Sequence, residues 1–232
     1  MKERICILIL ALCLLSGIVS AAPSYLGTTG LIFVPSDLNL RAGDFSANFH
    51  TLDLSNNPNV LGANVGVTEN LEIGLARVDP DIPGGHIETA INVKYGLLNE
   101  IGSRPSLTVG AVDAGGSLDP NGDPGFYIVL GKNLTSAATS ISGEPVPPIR
   151  GYLGIGTGIY DGLFAAAEWS FSPKATLLLE FLNGISIKNA VSEDSVFNAG
   201  VRFAISGGVR GDIALINGGD LGFGISYTRV AD

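Results

Sequence analysis

The 232-residue chain carries 13 Lys and Arg against 22 Asp and Glu, has 32 glycines and only 15% charged residues, and shows a mean hydropathy of +0.37. That acidic balance argues against nucleic acid as a partner and against a polybasic membrane-surface patch. After Ala22 no apolar run reaches the ~20 residues that a spanning helix needs, so the apolar content must be carried by shorter elements.

Residues 1–21 read as a cleaved signal peptide. Lys2 and Arg4 form a positive start, Ile5 to Ile18 is apolar, and Val19-Ser20-Ala21 before Ala22 fits a small-residue cleavage site. Without Lys2, Glu3 and Arg4, 11 basic and 21 acidic residues remain. Both cysteines, Cys6 and Cys13, lie in this leader, so the exported chain is expected to have neither disulfides nor thiol chemistry. Residues 22–42 form a turn-rich lead segment, with Gly27, Gly30 and Pro35 around Leu31, Ile32, Phe33 and Val34.

From Gly43 to the end, residues 43–232, apolar and small or polar residues alternate with a period of two. Strands are predicted near Phe45–Leu52, Val60–Val67, Leu71–Ala76, Ile87–Tyr95, Ser106–Val112, Phe126–Gly131 and Arg150–Ile155. The clearest pair follows, Leu163–Leu182, folded about Ser172-Pro173-Lys174. One face of its first arm is Ala165, Ala167, Trp169 and Phe171, and one face of its second is Ala175, Leu177, Leu179 and Phe181. The opposite faces are mixed, with Glu168 and Glu180 near their middles. If Phe171 faces Ala175, then Glu168 faces Leu178 and Glu180 faces Ala166. Val196–Phe203, Arg210–Leu215 and Leu221–Tyr227 complete about twelve strands.

Across these strands one face is bulky and apolar, and the other is Gly, Ala, Ser, Thr and Asn with Glu72, Glu88, Lys94, Glu168, Glu180, Arg202, Arg210 and Asp212. An arm of about ten residues spans about 33 Å, enough to cross a bilayer's apolar layer when tilted by ~45°. A soluble sandwich would carry a more charged outer face; a thinly charged one of small residues suits a narrow lumen. The predicted fold is therefore an all-β, closed, antiparallel up-and-down transmembrane barrel of about twelve strands. Turn lengths agree: Thr68–Asn70, Asn99–Arg104, Ser172–Lys174 and Ser206–Gly208 are short, while Asp79–Gly85, Ala114–Asp123 and Gly184–Ser195 are longer. Asn133–Pro148 breaks the rule, being long on the short side.

Gly27-Thr28-Thr29-Gly30-Leu31-Ile32-Phe33-Val34-Pro35-Ser36, followed by Gly43 and an alternating strand, resembles the opening signature of the YjbH-like family. Asn70-Leu71-Glu72-Ile73-Gly74, Tyr160-Asp161-Gly162-Leu163-Phe164, Ser172-Pro173-Lys174 and Asn198-Ala199-Gly200-Val201-Arg202 are further, less specific matches. Ser36 departs from the family's usual Thr, Leu40-Arg41-Ala42 replaces its Pro/Asp-Gly link, and the chain resembles a short, single-barrel member. The resemblance implies an outer-membrane barrel associated with exopolysaccharide production. Its implied partners are the outer-membrane bilayer, the barrel-assembly machinery and polysaccharide-export components.

No enzyme is expected. His50 shares a strand face with Ser46 and Asn48, without a strained nucleophile turn or oxyanion nest, and His86 lies elsewhere. Asp119–Gly125 resembles the start of a calcium loop but lacks the later Glu, so no metal is expected. Gly154, Gly156 and Gly158 lead to a hairpin turn rather than a helix, and no cofactor is implied. The eight lumen-face charges are expected to form one network, centred on pairs of Glu168 and Glu180 with Arg202 and Arg210, because a buried unpaired carboxylate costs several kcal/mol. It would serve as a selectivity or sugar-binding patch, or else brace a plugged lumen. Trp169, Tyr95 and Tyr227 are expected in an interfacial aromatic girdle. The predicted function is support of exopolysaccharide secretion or envelope maintenance in the outer membrane. The alternatives are a small porin-type solute channel and a soluble secreted β-sandwich that binds a ligand.

Overall fold

A computed structural model describes residues 21–231 except 55, 82, 84, 136–146 and 189. Residues 1–20, with Cys6 and Cys13 and all but the last residue of the expected signal peptide, lie outside the described residues. Twelve antiparallel strands close into one barrel: β1 Phe45–Leu52, β2 Asn59–Gly66, β3 Leu71–Asp79, β4 Glu88–Leu98, β5 Ser106–Val112, β6 Gly125–Asn133, β7 Ile149–Gly156, β8 Gly162–Ser172, β9 Ala175–Leu182, β12 Val196–Ser206, β13 Val209–Ile216 and β14 Asp220–Arg229. Each pairs with its neighbour in sequence, and β1 closes the sheet on β14, Phe45 opposite Arg229 through Leu52 opposite Gly222. A single closed sheet overturns the sandwich alternative. A two-stranded ribbon, β10 Ile185–Ile187 with β11 Val191–Glu193, stands in the connection between β9 and β12, where the sequence suggested only a loop.

Closure leaves no edge strand, and the period of two then sorts every strand into an outer and an inner face. The expected hairpin register holds over its body, with Glu168 opposite Leu178 and Ala166 opposite Glu180. Near the turn it shifts: Ser172, not Phe171, faces Ala175, and the irregularity between Trp169 and Ser172 absorbs the extra residue. The outer face is apolar nearly all round. Leu61, Leu75, Ile91, Phe126, Leu153, Leu163, Phe197 and Ile225 are each at least half exposed. A water-soluble surface rarely carries contiguous apolar area beyond a few hundred Å².

The two ends differ. The connections 67–70, 173–174 and 207–208 lie at one end, with the start of β1 and the end of β14; 80–87, 113–124 and 183–195 lie at the other. The connection 134–148 is the exception at the short-turn end, and since the strand count is twelve, the exception belongs to the chain itself.

The lumen is full. Residues 22–37 are all buried, because the lead segment lies inside the barrel rather than before it. Toward the long-loop end it meets an apolar tier made by Val60, Val78, Tyr127, Phe164, Leu182 and Ile216, over which Leu118, Ile159 and Ile185 fold from the loops. Toward the short-turn end the wall is polar. Inward glycines make the room: a Cβ on Gly66 would stand 1.9 Å from the Arg41 carbonyl oxygen, and one on Gly222 would meet the Tyr25 ring at 2.7 Å.

Candidate functional site: the seat of the N-terminal plug

An irregular segment buried in a barrel cannot leave its amides and carbonyls unpaired, since each orphan costs about 1–3 kcal/mol. Residues 22–37 meet part of that need by folding on themselves. Ser24 N–H donates to Thr28 O at 2.7 Å, Tyr25 N–H to Ile32 O at 2.7 Å, Gly30 N–H to Ala22 O at 2.9 Å and Leu31 N–H to Val34 O at 2.9 Å. Gly27, at φ 104°, allows the first of these turns. The remaining groups point at the wall, and the lumen charges are where they point.

Glu180 accepts from three successive amides of the Leu31–Val34 turn: Ile32 at 2.6 Å, Phe33 at 3.0 Å and Val34 at 2.9 Å. Successive N–H groups in a turn form an anion-binding nest, and here the anion is the barrel's own carboxylate. Asn198 Nδ2 donates to its other oxygen at 3.2 Å. Arg202 faces the opposite backbone polarity. It donates to Gly30 O at 2.9 Å, Leu31 O at 3.0 Å and Pro23 O at 3.1 Å, while its Nε holds Asp212 at 2.6 Å. On the far wall Glu72 and Lys94, opposite each other in register, clasp Thr29. Glu72 accepts from Thr29 N–H at 2.8 Å and Leu40 N–H at 3.1 Å, and Lys94 Nζ donates to Thr29 O at 2.8 Å and to Leu38 O. Asn92 donates to Leu26 O at 2.8 Å, Asn64 to Gly27 O, and Tyr160 Oη to Phe33 O at 2.9 Å. Tyr25 stacks on His50 with ring centroids 4.0 Å apart.

The plug leaves the lumen through a latch that sequence reasoning missed. Arg150 takes Asp37 with Nε at 3.0 Å and with Nη2, and its Nη1 donates to Glu100 at 2.8 Å. Lys132 donates to the other Glu100 oxygen at 2.7 Å, and Ser106 Oγ donates to Asp37. Lys132 first, and Arg150 with it, pull the Glu100 carboxyl down from 4.5 to about 2 against the opposing effect of burial. Gly131 lies under Asp37, where a Cβ would approach the carboxylate carbon to 2.3 Å. These residues sit at strand ends and in loops, where the alternation that flags a lumen charge has no purchase.

The expected network is therefore only partly assembled. Arg202 pairs with Asp212 rather than with a glutamate. Glu180 binds backbone, and Glu168 accepts from Tyr152 Oη at 2.7 Å. Arg210 donates to Thr228 Oγ1 at 3.2 Å, and Glu88 pairs with Lys188 of the long-loop end at 2.8 Å. The charges do lie on the inner face, but Arg202 joins Asp212, and Glu72, Lys94, Glu180 and Arg202 reach the plug in place of the expected glutamate–arginine pairs. His50 lies in an inner polar patch, its Nδ1 3.0 Å from Asn48 Nδ2 and its Nε2 3.5 Å from Asp212. Asp119 accepts the N–H groups of Asn121 at 2.7 Å and Asp123 at 3.2 Å, which closes a loop turn. Trp169, Tyr95 and Tyr227 all face outward near the short-turn end, each about two-fifths exposed.

No family model matches the chain, and no curated protein does. Among solved structures the chain is similar to a KdgM porin, with a TM-score of 0.54 at 10% identity, over 81% of this chain and 99% of that one. A KdgM porin in complex with disordered oligogalacturonate aligns with a TM-score of 0.52 at 9% identity, over 82% and 99%. The outer membrane protein Omp33 of Acinetobacter baumannii aligns at 0.46 and 10% identity, over 82% and 98%. At these identities the likeness to the KdgM porin is one of fold alone.

Proposed function

We propose that the chain is an outer-membrane barrel of the porin type, held shut by its own N-terminal segment. The observation that carries this reading is the seat itself. Four wall charges, Glu72, Lys94, Glu180 and Arg202, satisfy the backbone of residues 22–40 inside a barrel whose outer face is apolar. The outward apolar belt supports a lipid surround, as does the leader read from residues 1–21, and such a barrel would call on barrel-assembly machinery. The role is closure of, or passage through, the lumen rather than catalysis. A part in exopolysaccharide secretion rests on the YjbH-like resemblance alone.

Planar-bilayer conductance tests the reading. The intact protein is expected to be silent, and a variant lacking residues 23–40 but still heat-modifiable on gels is expected to conduct. A deleted barrel that folds and stays silent would make the protein a closed structural barrel and overturn the channel reading. Recovery of the intact chain as a detergent-free soluble monomer would overturn the membrane location as well.

A further inference from the structure

Where the plug emerges at the short-turn end it leaves a cleft against β8, β9, β12 and β13, with Ala22 and Ser36 of the plug on one side and Lys174, Arg202, Arg210 and Glu168 on the other. Its volume is about 40 Å³. A single water occupies roughly 10–15 Å³ on the same measure, so the cleft takes about three waters or one tetrahedral oxyanion.

The charges around it are unequally used. Arg202 is committed to Asp212 and to three plug carbonyls, and Glu168 to Tyr152. Lys174 Nζ, by contrast, is buried without a hydrogen-bond partner among the described residues. Arg210, only 8% exposed, spends one N–H on Thr228 Oγ1 and has four left. A buried ammonium and a buried guanidinium with unspent donors are costly unless something negative meets them. Both line the cleft, Lys174 from the β8–β9 turn and Arg210 from the start of β13. Its lining joins the plug to the buried inner-wall residues Arg202 and Arg210, which suits an occupant taken from solution rather than a lipid headgroup.

We propose that this cleft binds a small soluble oxyanion, phosphate or the carboxylate of a small organic acid, between Lys174 and Arg210. A guanidinium presents paired N–H donors to two oxygens, and the ammonium supplies a third contact as a point charge. Because plug residues form one side of the cleft, the bound anion ties the plug to the wall and favours the seated state. Binding does not depend on whether the barrel conducts.

The test is isothermal titration calorimetry on the folded, detergent-solubilised protein, with sodium phosphate and sodium acetate titrated separately against a sodium chloride reference at constant ionic strength. Saturable phosphate binding at one site is expected, weakened at least fivefold by Lys174→Gln and lost in Lys174→Gln/Arg210→Gln. Phosphate should also raise the unfolding temperature of the unaltered protein and not that of the double variant. Saturable acetate binding with the same sensitivity to Lys174→Gln supports the proposal and identifies the carboxylate as the occupant. If Arg210→Gln prevents folding, Lys174→Gln decides alone, since Lys174 sits in a two-residue turn and its Nζ holds no hydrogen bond among the described residues. No heat beyond the chloride reference with either anion, or equal affinity in Lys174→Gln, overturns the proposal.

Discussion

The two halves of the lumen are filled on opposite principles. Toward the long loops, Phe164, Leu182, Val78, Tyr127 and Ile216 bury one another, an arrangement that constrains volume but not direction. Toward the short turns Arg202, Glu72 and Lys94, and beside the apolar tier Glu180, each bind named backbone atoms of a segment with almost no ladder of its own. The apolar half would accept many sequences of the right size. The polar half fixes one conformation of one segment, because each carboxylate requires amides and each cation requires carbonyls at that point. The difference shows that the lumen charges specify the plug, while the apolar tier supplies bulk stability.

Variants in the two halves sharpen that contrast. The largest effect is expected from Glu180→Leu, which strands three buried amides and should lower stability by about 3–5 kcal/mol. Urea unfolding followed by the heat-modifiable gel shift measures it, and a loss below about 1 kcal/mol would mean that apolar burial alone seats the plug. Phe164→Ala should cost about 3 kcal/mol through the cavity it leaves. It should leave bilayer conductance at the level of the intact protein; opening of the pore would erase the division between the halves.

Gly131→Ala drives a Cβ into the Asp37 carboxylate and should release the latch, at about 1–3 kcal/mol. The readout is protease cleavage within residues 37–43, slow in the intact protein and faster in the variant. The smallest effect concerns acid. Glu100 is held below its ordinary value, so its stabilising contribution is fully present above pH 4.5 and lost as pH falls toward about 2. Glu100→Gln should flatten the stability profile across that window. An unchanged slope would remove Glu100 from the latch.

The barrel was legible in the sequence because closure and alternation are properties of side-chain order. Strand bounds at Phe45–Leu52, Ser106–Val112 and Ala175–Leu182, the count of twelve and the odd connection near 134–148 all follow from period and spacing. The inner-face charges were legible for the same reason. Their partners were not. The groups that Glu180 and Arg202 bind are main-chain amides and carbonyls, which every residue carries and no pattern reveals. Residues 22–42 show turn chemistry in Gly27, Gly30 and Pro35, but turns alone do not say whether a segment lies outside a barrel or within it. Phe164 and Leu182 alternate correctly as inner residues; only the closed sheet shows that they gather at one end and form a tier with the loops.

The β1–β14 seam carries a consequence for the order of assembly. The plug runs directly into β1, and Ala231 N–H donates to Asp44 at 2.8 Å across the closed rim. Arg202 contacts Pro23 over 179 positions of sequence, so the plug finds its seat only after β12 and β13 are available. Contacts of such separation slow folding, because loop closure comes before the contacts that reward it. Before β1 meets β14 the sheet has two free edges. Joining those edges commits the segment to the inside, so the fate of the lumen is decided during biogenesis.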